Sequence, residues 1–339
     1  MRTTLVLLIT YEPVFELNGK NQALLDYYRA NFDSFADPVD AGKVTFCISD
    51  FGSSPAFKTF LRTYVKEKRW YLVDCPQEAP IIFAINSAIR QFQSDFVVYA
   101  ASDVRHRDRL WLSHLLADAE DSNVGMVQTT VTIDGYFFQT QKEPLDLPSR
   151  TIVFPEVLTM HCILFRRSFF EAFDNRFPDI FDTWYLEYCL LYAMAALGLQ
   201  TKMSYRVNLI HNRFHGGGRH RRTEASNYNV RHKTVERDTH KWKVLQYYLP
   251  IGRFRQTPID YRNLKQLYQE LRYHLVCTKR EGWRYWFYKL ARRTWYENFG
   301  QLDKEARIVM IRALFLRPLR DYEKYRFEVY QPEEAPLLK

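Results

Sequence analysis

Asp103 stands just after an apolar run of β-branched and aromatic residues, Phe96–Ala101, which predicts a buried strand. A basic turn with Arg105, His106 and Arg107 follows it. A carboxylate at the exit of a buried strand, beside cationic groups, is suited to hold a divalent metal ion and a phosphorylated ligand. The alternative is that Asp103 only caps the helix that follows.

Two other predicted strands deliver polar residues in the same way. Leu5–Thr10 leads into Tyr11 and Glu12, and Lys43–Ser49 leads into Asp50, which precedes a Phe-Gly-Ser-Ser turn. Ligands bind parallel sheets beyond the carboxyl ends of their strands. These residues are therefore expected near Asp103, although Asp50 could equally serve only the turn.

The elements that must position these residues alternate between strands and helices. A weaker strand is predicted at Tyr71–Asp74, and helical patterns cover Gln22–Phe32, Ala56–Glu67, Pro80–Phe92 and Leu110–Glu120. Such alternation predicts βαβ units, a mostly parallel sheet and an α/β fold.

Further along, the pattern becomes more mixed. Strand-like runs cover Val124–Thr132 and Thr151–Leu164, and a helix is predicted over Trp184–Leu197 with Gly198 as its C-terminal cap. The strand Lys202–Ile210 then leads to His211 and to a loop with three consecutive glycines, which contains Arg219. From about residue 242 the chain is dense in aromatic and basic residues, and helices are predicted at Tyr261–Val276, Gly282–Phe299 and Lys304–Leu316.

Charge divides the 339-residue chain unequally. Residues 1–201 carry 18 Lys and Arg against 25 Asp and Glu, whereas residues 202–339 carry 30 against 14. The basic half is expected to meet an anionic partner such as a lipid surface, a diphosphate, an acidic glycan or nucleic acid. The five cysteines are scattered and form no CxxC pair, so neither a zinc site nor a disulfide framework is indicated.

The order of these motifs resembles the GT-A-fold inverting glycosyltransferases of the family 2 type. The matching positions are Thr10-Tyr11-Glu12, Asp50-Phe51-Gly52-Ser53, Asn86, Ala101-Ser102-Asp103, the His161–Arg167 segment, Glu187 and His211. The resemblance covers about residues 4–212. It implies a GT-A, Rossmann-like, mostly parallel central sheet flanked by helices, with a helical C-terminal appendage.

The resemblance also implies roles for individual residues. Glu187 is expected to be the catalytic base, with Asp182 as the fallback, and Asp103 and His211 to bind Mn²⁺ or Mg²⁺. The donor nucleotide is expected to contact Thr10, Tyr11, Glu12, Asp50, Asn86, Ser102, Asp103 and Arg219. The implied donor is a nucleotide-diphosphate sugar, with a UDP-sugar favoured, and the implied activity is hexosyl transfer to an acceptor hydroxyl.

Two positions depart from the family pattern. Ala101 replaces the first Asp of the Asp-x-Asp motif, and Cys189 stands where a second acid follows Glu187. Asp103 is therefore the one acid of this motif that can reach a metal ion directly, and a catalytically degenerate GT-A binding module is a second hypothesis. Glu187 could also serve only to favour the dipole of its helix, and His211 could be structural.

The predicted domains are residues 1–222, which bind the donor and carry catalysis, and residues 223–339, which bind the acceptor, a membrane or a partner. The Tyr285–Tyr296 segment mixes aromatic rings with Lys and Arg, a combination suited to an anionic membrane surface, although these rings could simply pack the appendage onto the catalytic domain. A glycan, glycolipid or other cell-surface acceptor is favoured, and modified DNA bases are the alternative. The expected location is cytoplasmic, with peripheral association at the inner face of a membrane as an option.

Overall fold

One sheet of eleven strands organises the chain. The computed structural model describes residues 2–12, 15, 22–39, 42–76, 79–133, 136–137, 150–151, 160–179, 186–211, 305, 308, 312, 316–325 and 327–331. The strands are β1 Thr3–Thr10, β2 Lys43–Phe51, β3 Tyr71–Cys75, β4 Phe96–Ala101, β5 Arg105–His106, β6 Val124–Ile133, β7 Tyr136–Phe137, β8 Arg150–Thr151, β9 Cys162–Arg166, β10 Gln200–His211 and β11 Glu328–Tyr330. The α-helices are α1 Gln22–Phe35, α2 Pro55–Lys68, α3 Ile81–Gln91, α4 Trp111–Asp118, α5 Arg167–Glu171 and α6 Leu186–Leu197.

The centre of the sheet is parallel. The strand order is β11-β3-β2-β1-β4-β9-β6-β10-β5, with β7 beside β6 and β8 beside β10. Strands β3, β2, β1 and β4 run parallel to one another, and β10 runs parallel to β6. Because Thr10 pairs with Asp50 and Ile9 with Ala101, the carboxyl ends of β1, β2 and β4 meet at one edge, as the alternating pattern predicts.

Both faces of this sheet are covered, which explains the uninterrupted apolar run in β1. Leu5, Leu7 and Ile9 pack in one core cluster with α3, α5 and α6. Val6 and Leu8 pack in the other, with α1, α2 and α4. Side chains of a strand alternate between faces, so a central strand between two helical layers must be apolar at every position.

The predicted elements of the first half are confirmed, with small shifts at their ends. Strand β2 continues to Phe51, so Asp50 lies within the strand and not in the turn after it. The run predicted as one strand over Thr151–Leu164 is different in the structure, where Thr151 ends β8 and β9 begins only at Cys162. Residues 152–159 lie outside the described part.

The C-terminal segment 316–331 joins this sheet. It contains a 3-10 helix at Leu319–Lys324, and β11 pairs antiparallel with β3, so that Val329 lies opposite Val73. Strand β11 lies more than 100 residues beyond the predicted domain boundary after residue 222 and forms one edge of the sheet. The division into two domains stays a prediction. The helices predicted at Tyr261–Val276 and Gly282–Phe299 lie outside the described residues, as does most of Lys304–Leu316.

No helix among the described residues is long and apolar enough to cross a membrane.

Candidate functional site

Asp103 and His211 meet at the carboxyl edge of the sheet. The Asp103 Oδ2 atom lies 3.2 Å from His211 Nε2, although 108 positions separate the two residues. The Asp103 side chain is 29% exposed and that of His211 is 14% exposed, so both can reach a ligand. The structure therefore brings together the two residues that the sequence predicts as metal ligands.

A short return strand brings the Asp103 loop to His211. In β5, Arg105 pairs with Ile210 and His106 with Leu209, which places the loop beside the end of β10. The His106 ring is buried and stacked on Trp111, with ring centroids 4.3 Å apart. Burial lowers the pKa of His106 to about 3, so this residue anchors the loop as a neutral core side chain and adds no charge to the turn.

Side chains of helix α1 donate hydrogen bonds to the backbone of the same loop. Asn31 Nδ2 donates to the carbonyl oxygen of Ser102 at 3.0 Å, and the Tyr27 hydroxyl donates to the carbonyl oxygen of Asp103 at 3.1 Å. Ser102, predicted to contact the donor, is buried, and its N–H donates to the carbonyl oxygen of Ile9 at 3.0 Å. The sequence indicated neither Tyr27 nor Asn31; their i, i+4 spacing places them on one helix face, but only the fold shows what that face contacts.

His161 is a further residue of this edge. Its ring centroid lies 4.9 Å from that of His211, and its carbonyl oxygen accepts a 2.8 Å hydrogen bond from the N–H of Ala101. Burial, assisted by His211 and opposed by Asp103, lowers the pKa of His161 to about 4, so the ring is neutral at physiological pH. The family resemblance described above includes the His161–Arg167 segment, but it assigns His161 no role in the site.

The Asp103–His211 pair fits a divalent metal ion that shares its coordination with a ligand. Carboxylate oxygen and imidazole nitrogen are both ligands of Mn²⁺, and Mg²⁺ is commonly held by one or two carboxylates together with substrate phosphates and water. Among the described residues, no group of three or more His, Cys, Asp or Glu side chains could hold a metal ion alone. A diphosphate would complete the coordination of such an ion.

A second group of polar residues lies at the ends of β1 and β2. Asp50 Oδ2 accepts from the N–H of Ser53 at 3.1 Å, and Asp50 Oδ1 accepts from the Ser53 hydroxyl. The Ser53 hydroxyl oxygen in turn accepts from the N–H of Glu12 at 2.7 Å, and Glu12 Oε2 accepts from the Tyr28 hydroxyl at 3.0 Å. A chain of hydrogen bonds thus links Asp50 to Glu12.

Asp50 has no exposed surface in this conformation, and its contact with the nucleotide stays a prediction. Burial raises its pKa to about 6, against the opposing hydrogen bonds from Ser53 and the Lys58 ammonium at 3.9 Å. Lys58 forms its shorter ion pair with Asp74. Asp50 therefore acts on the site through Ser53 and Glu12.

Two aromatic rings flank Glu12. Tyr11 and Phe51 stack with their centroids 4.5 Å apart and their planes 15° from parallel, and both are half-buried. A flat aromatic pair of this kind offers a surface on which a nucleobase can stack. Thr10, the last residue of β1, is almost fully buried, and its Oγ1 has no hydrogen bond among the described residues. Tyr11 and Glu12 thus lie just beyond the carboxyl end of β1, and their contacts with the donor stay predictions. Phe51 has no predicted role in the sequence analysis.

Asn86 lies within helix α3. It has no exposed surface; its Nδ2 donates to the carbonyl oxygen of Phe177 at 3.1 Å and to the Tyr322 hydroxyl at 2.7 Å, and its Oδ1 accepts from the N–H of Phe177 at 2.6 Å. A buried amide engaged at both ends cannot contact a nucleotide in this conformation. In this conformation Asn86 holds the backbone of Phe177 and the Tyr322 hydroxyl, and its contact with the donor stays a prediction.

The predicted catalytic residues are only partly within the described chain. Glu187 is the second residue of α6, and its side chain lies outside the description. Asp182 and Arg219 lie outside the described residues altogether. Their roles stay predictions.

Comparison with known proteins finds similar folds among solved structures. No protein-family model matches the sequence, and no curated protein matches it. The structure of TarS from S. aureus superposes with a TM-score of 0.50 at 12% identity, covering 82% of this chain and 44% of TarS, so the chain spans less than half of that protein. The TarS fragment 1–349 gives the same TM-score and identity, with 99% of this chain and 98% of the fragment covered.

A third similar structure is the mannosyltransferase PcManGT from Pyrobaculum calidifontis in complex with GDP-Man and Mn²⁺. It has a TM-score of 0.47 and 14% identity and covers 91% of this chain and 85% of its own. At these identities the TarS superpositions show the fold alone. The mixed sheet with a mostly parallel core and flanking helices is the GT-A fold of glycosyltransferases, as the order of motifs implies.

Proposed function

We propose that the protein is an inverting glycosyltransferase that moves a hexosyl group from a nucleotide-diphosphate sugar, preferably a UDP-sugar, to an acceptor hydroxyl. The observation that carries this proposal is the 3.2 Å contact between Asp103 Oδ2 and His211 Nε2 at the carboxyl edge of a GT-A sheet. Ligands of open α/β sheets bind in this position.

Asp103 and His211 would hold Mn²⁺ or Mg²⁺ at this edge. The bound ion would neutralise negative charge on the diphosphate leaving group. Although Ala101 removes one carboxylate of the Asp-x-Asp motif, Asp103 is the member of that motif that His211 contacts, so the departure leaves the pair intact.

The nucleoside would lie on the β1–β2 side of the same edge. The stacked rings of Tyr11 and Phe51 would support the base, and the Glu12 carboxylate would accept from a base N–H or a ribose hydroxyl. The role of Asp50 is to hold Ser53, which holds Glu12.

Glu187 would deprotonate the acceptor hydroxyl, with Asp182 as the alternative base. The acceptor oxygen forms a bond to the anomeric carbon while the bond from that carbon to the diphosphate oxygen breaks, and the carboxylate takes the proton. A single displacement of this kind inverts the anomeric configuration and needs no covalent enzyme intermediate.

The acceptor is proposed to be a glycan, glycolipid or other cell-surface component. The excess of 30 Lys and Arg over 14 Asp and Glu in residues 202–339 would favour an anionic surface, with the protein in the cytoplasm and peripheral to the membrane. Retention on anionic vesicles rather than on DNA at moderate salt would support this acceptor class, whereas the reverse would favour modified DNA bases.

The decisive experiment is titration of UDP and GDP in the presence of Mn²⁺ against the full chain and two variants. Asp103→Asn should weaken binding of the preferred nucleotide by about 10- to 100-fold or more, since loss of a residue that only supports a metal ligand already costs that much. The matched control is Asp108→Asn, an exposed aspartate on the same loop whose carboxylate caps the N–H of Leu110.

Equal nucleotide affinities in Asp103→Asn and the wild type would remove Asp103 from the site and overturn the proposal. Nucleotide binding without any hydrolysis of UDP- or GDP-sugars would instead favour the degenerate binding module.

A further inference from the structure

The C-terminal segment 316–331 contacts the part of the chain that leads into α6. The Tyr322 hydroxyl donates to Asp179 Oδ2 at 2.7 Å and accepts from Asn86 Nδ2 at 2.7 Å. Asn86 also holds both backbone groups of Phe177. The C-terminal segment is therefore hydrogen bonded, through two side chains, to the residues that precede the predicted catalytic helix.

Two more groups converge on the same carboxylate. The backbone N–H of Arg317 donates to Asp179 Oδ1 at 2.6 Å, and Arg176 Nη1 donates to Asp179 Oδ2 at 3.0 Å. Asn86, Arg176, Asp179 and Tyr322 form what we call the Asp179 cluster. The Asp179 carboxylate thus joins Arg176, three positions before it, to Arg317 and Tyr322, which lie 138 and 143 positions after it.

The Asp179 cluster is closed to solvent. Asp179 and Asn86 have no exposed surface, and Arg176 and Tyr322 are 2% and 6% exposed. Burial raises the pKa of Asp179, against the opposing effects of Arg176 and of the hydrogen bonds from Tyr322 and Arg317. Because water cannot replace a hydrogen-bond partner lost from such a buried network, each hydrogen bond of the cluster strongly restricts the motion of the C-terminal segment relative to Asp179.

The C-terminal segment has anchors that do not involve the Tyr322 hydroxyl. The Tyr322 ring stacks on Phe83 with centroids 4.1 Å apart, and β11 pairs with β3. The Arg62 guanidinium lies 4.8 Å from the centre of the Tyr330 ring. Removing the hydroxyl alone therefore leaves the segment in place and takes away one hydrogen bond to Asp179, while those from the Arg317 N–H and Arg176 remain.

We infer that Tyr322 and Asp179 are positioning residues, through which the C-terminal segment fixes the approach to α6 and hence the proposed base Glu187; this rests on the proposed function. Asp179 lies seven positions before Leu186, where α6 begins. Leu186, Leu190 and Met194 of α6 pack in the same core cluster as Tyr322.

Tyr322→Phe in the full chain tests this inference, and Tyr325→Phe is the matched control. Tyr325 lies on the same segment and contacts the same Phe83 ring, and among the described contacts it has no hydrogen bond to Asp179. Hydrogen–deuterium exchange should rise about fivefold or more in peptides covering residues 177–190 of Tyr322→Phe, because one buried hydrogen bond is lost. Exchange in β1 and β4 should stay unchanged.

Activity supplies the second readout. With Mn²⁺ and the UDP- or GDP-sugar that the wild type hydrolyses fastest, kcat should fall about tenfold in Tyr322→Phe while KM for the donor stays within about twofold. Tyr325→Phe should keep both parameters. A merely structural loss would change both variants or would raise KM as well.

Unchanged exchange over residues 177–190 in Tyr322→Phe, or an equal increase in Tyr325→Phe, would overturn the inference. If Tyr322→Phe does not fold, Asp179→Asn is assessed by the same exchange measurement. A wild-type protein that hydrolyses no donor would refute the proposed function, and the exchange data would then still decide whether the cluster positions α6.

Discussion

The Asp50 carboxylate receives both hydrogen bonds that Ser53 can donate, one from its N–H and one from its hydroxyl. The same hydroxyl oxygen accepts from the N–H of Glu12. Ser53 therefore fixes the position of the partly exposed Glu12 relative to the fully buried Asp50 carboxylate. A residue at the end of a strand thus shapes the site without touching a ligand.

Ser53→Ala should weaken nucleotide binding. The variant leaves the N–H of Glu12 without its acceptor and removes one partner of Asp50, at a cost of about 1–3 kcal/mol in unfolding free energy. We expect the affinity for UDP or GDP with Mn²⁺, measured by calorimetry, to fall about tenfold. Ser113→Ala, which removes a hydroxyl bonded to the carbonyl oxygen of Val39, should leave the affinity unchanged; an equal loss there would contradict the role of Ser53.

Phe51→Ala should weaken nucleotide binding through loss of the stacking surface. Base stacking on an aromatic ring contributes about 1–3 kcal/mol, so the affinity should fall by about tenfold or more. The matched control is Phe46→Ala on the same strand, whose ring stacks on Trp70 at 4.6 Å and 14°. That variant should lower the melting temperature and retain nucleotide affinity. Equal affinities in the two variants would place the base elsewhere.

Asp50→Asn should change how stability depends on pH. Burial raises the pKa of Asp50 from its ordinary 3.8 to about 6, so the folded state favours the protonated form. Its contribution to stability is fully present below pH 3.8 and is lost as pH rises through 6. Relative to the variant, the wild type should lose about 3 kcal/mol of unfolding free energy across this window, measured by urea unfolding.

Asp95→Asn is a control for which the pH dependence of stability should have the opposite sign. Hydrogen bonds from the N–H and hydroxyl of Thr3 lower the pKa of Asp95, so its contribution is present above pH 3.8 and is lost as pH falls. If the unfolding free energies of the wild type and Asp50→Asn changed in parallel with pH, that result would contradict the raised pKa of Asp50.

His106→Phe should make the protein less sensitive to acid. The pKa of His106 is lowered from 6.5 to about 3 by burial, so its contribution to stability is present above pH 6.5 and is lost as pH falls towards 3. Neither ring nitrogen has a hydrogen bond among the described residues, and phenylalanine can keep the stacking on Trp111. At pH 5 the variant should melt at a higher temperature than the wild type, and an equal or lower melting temperature would contradict this account.

Residue patterns in the sequence were sufficient to predict the strand–helix order, the parallel centre of the sheet and the place of Asp103 just after a strand. These follow from local periodicity, because a strand covered on both faces must be apolar at every position. The order of motifs also indicated His211 and Tyr11, which the structure places at the same edge.

Which of the polar residues are buried and which are exposed became known from the fold. Asp50, Asn86 and His106 look alike as polar residues near strand ends or on helices, and all three are buried. The burial of Asn86 and His106 involves residues far away in the sequence, such as Phe177 beside Asn86 and Phe35 beside His106. The Tyr322 hydroxyl reaches Asn86 from 236 positions away. Contacts between residues so far apart in the sequence form only when the C-terminal segment joins the sheet, and no local spacing of residues predicts them.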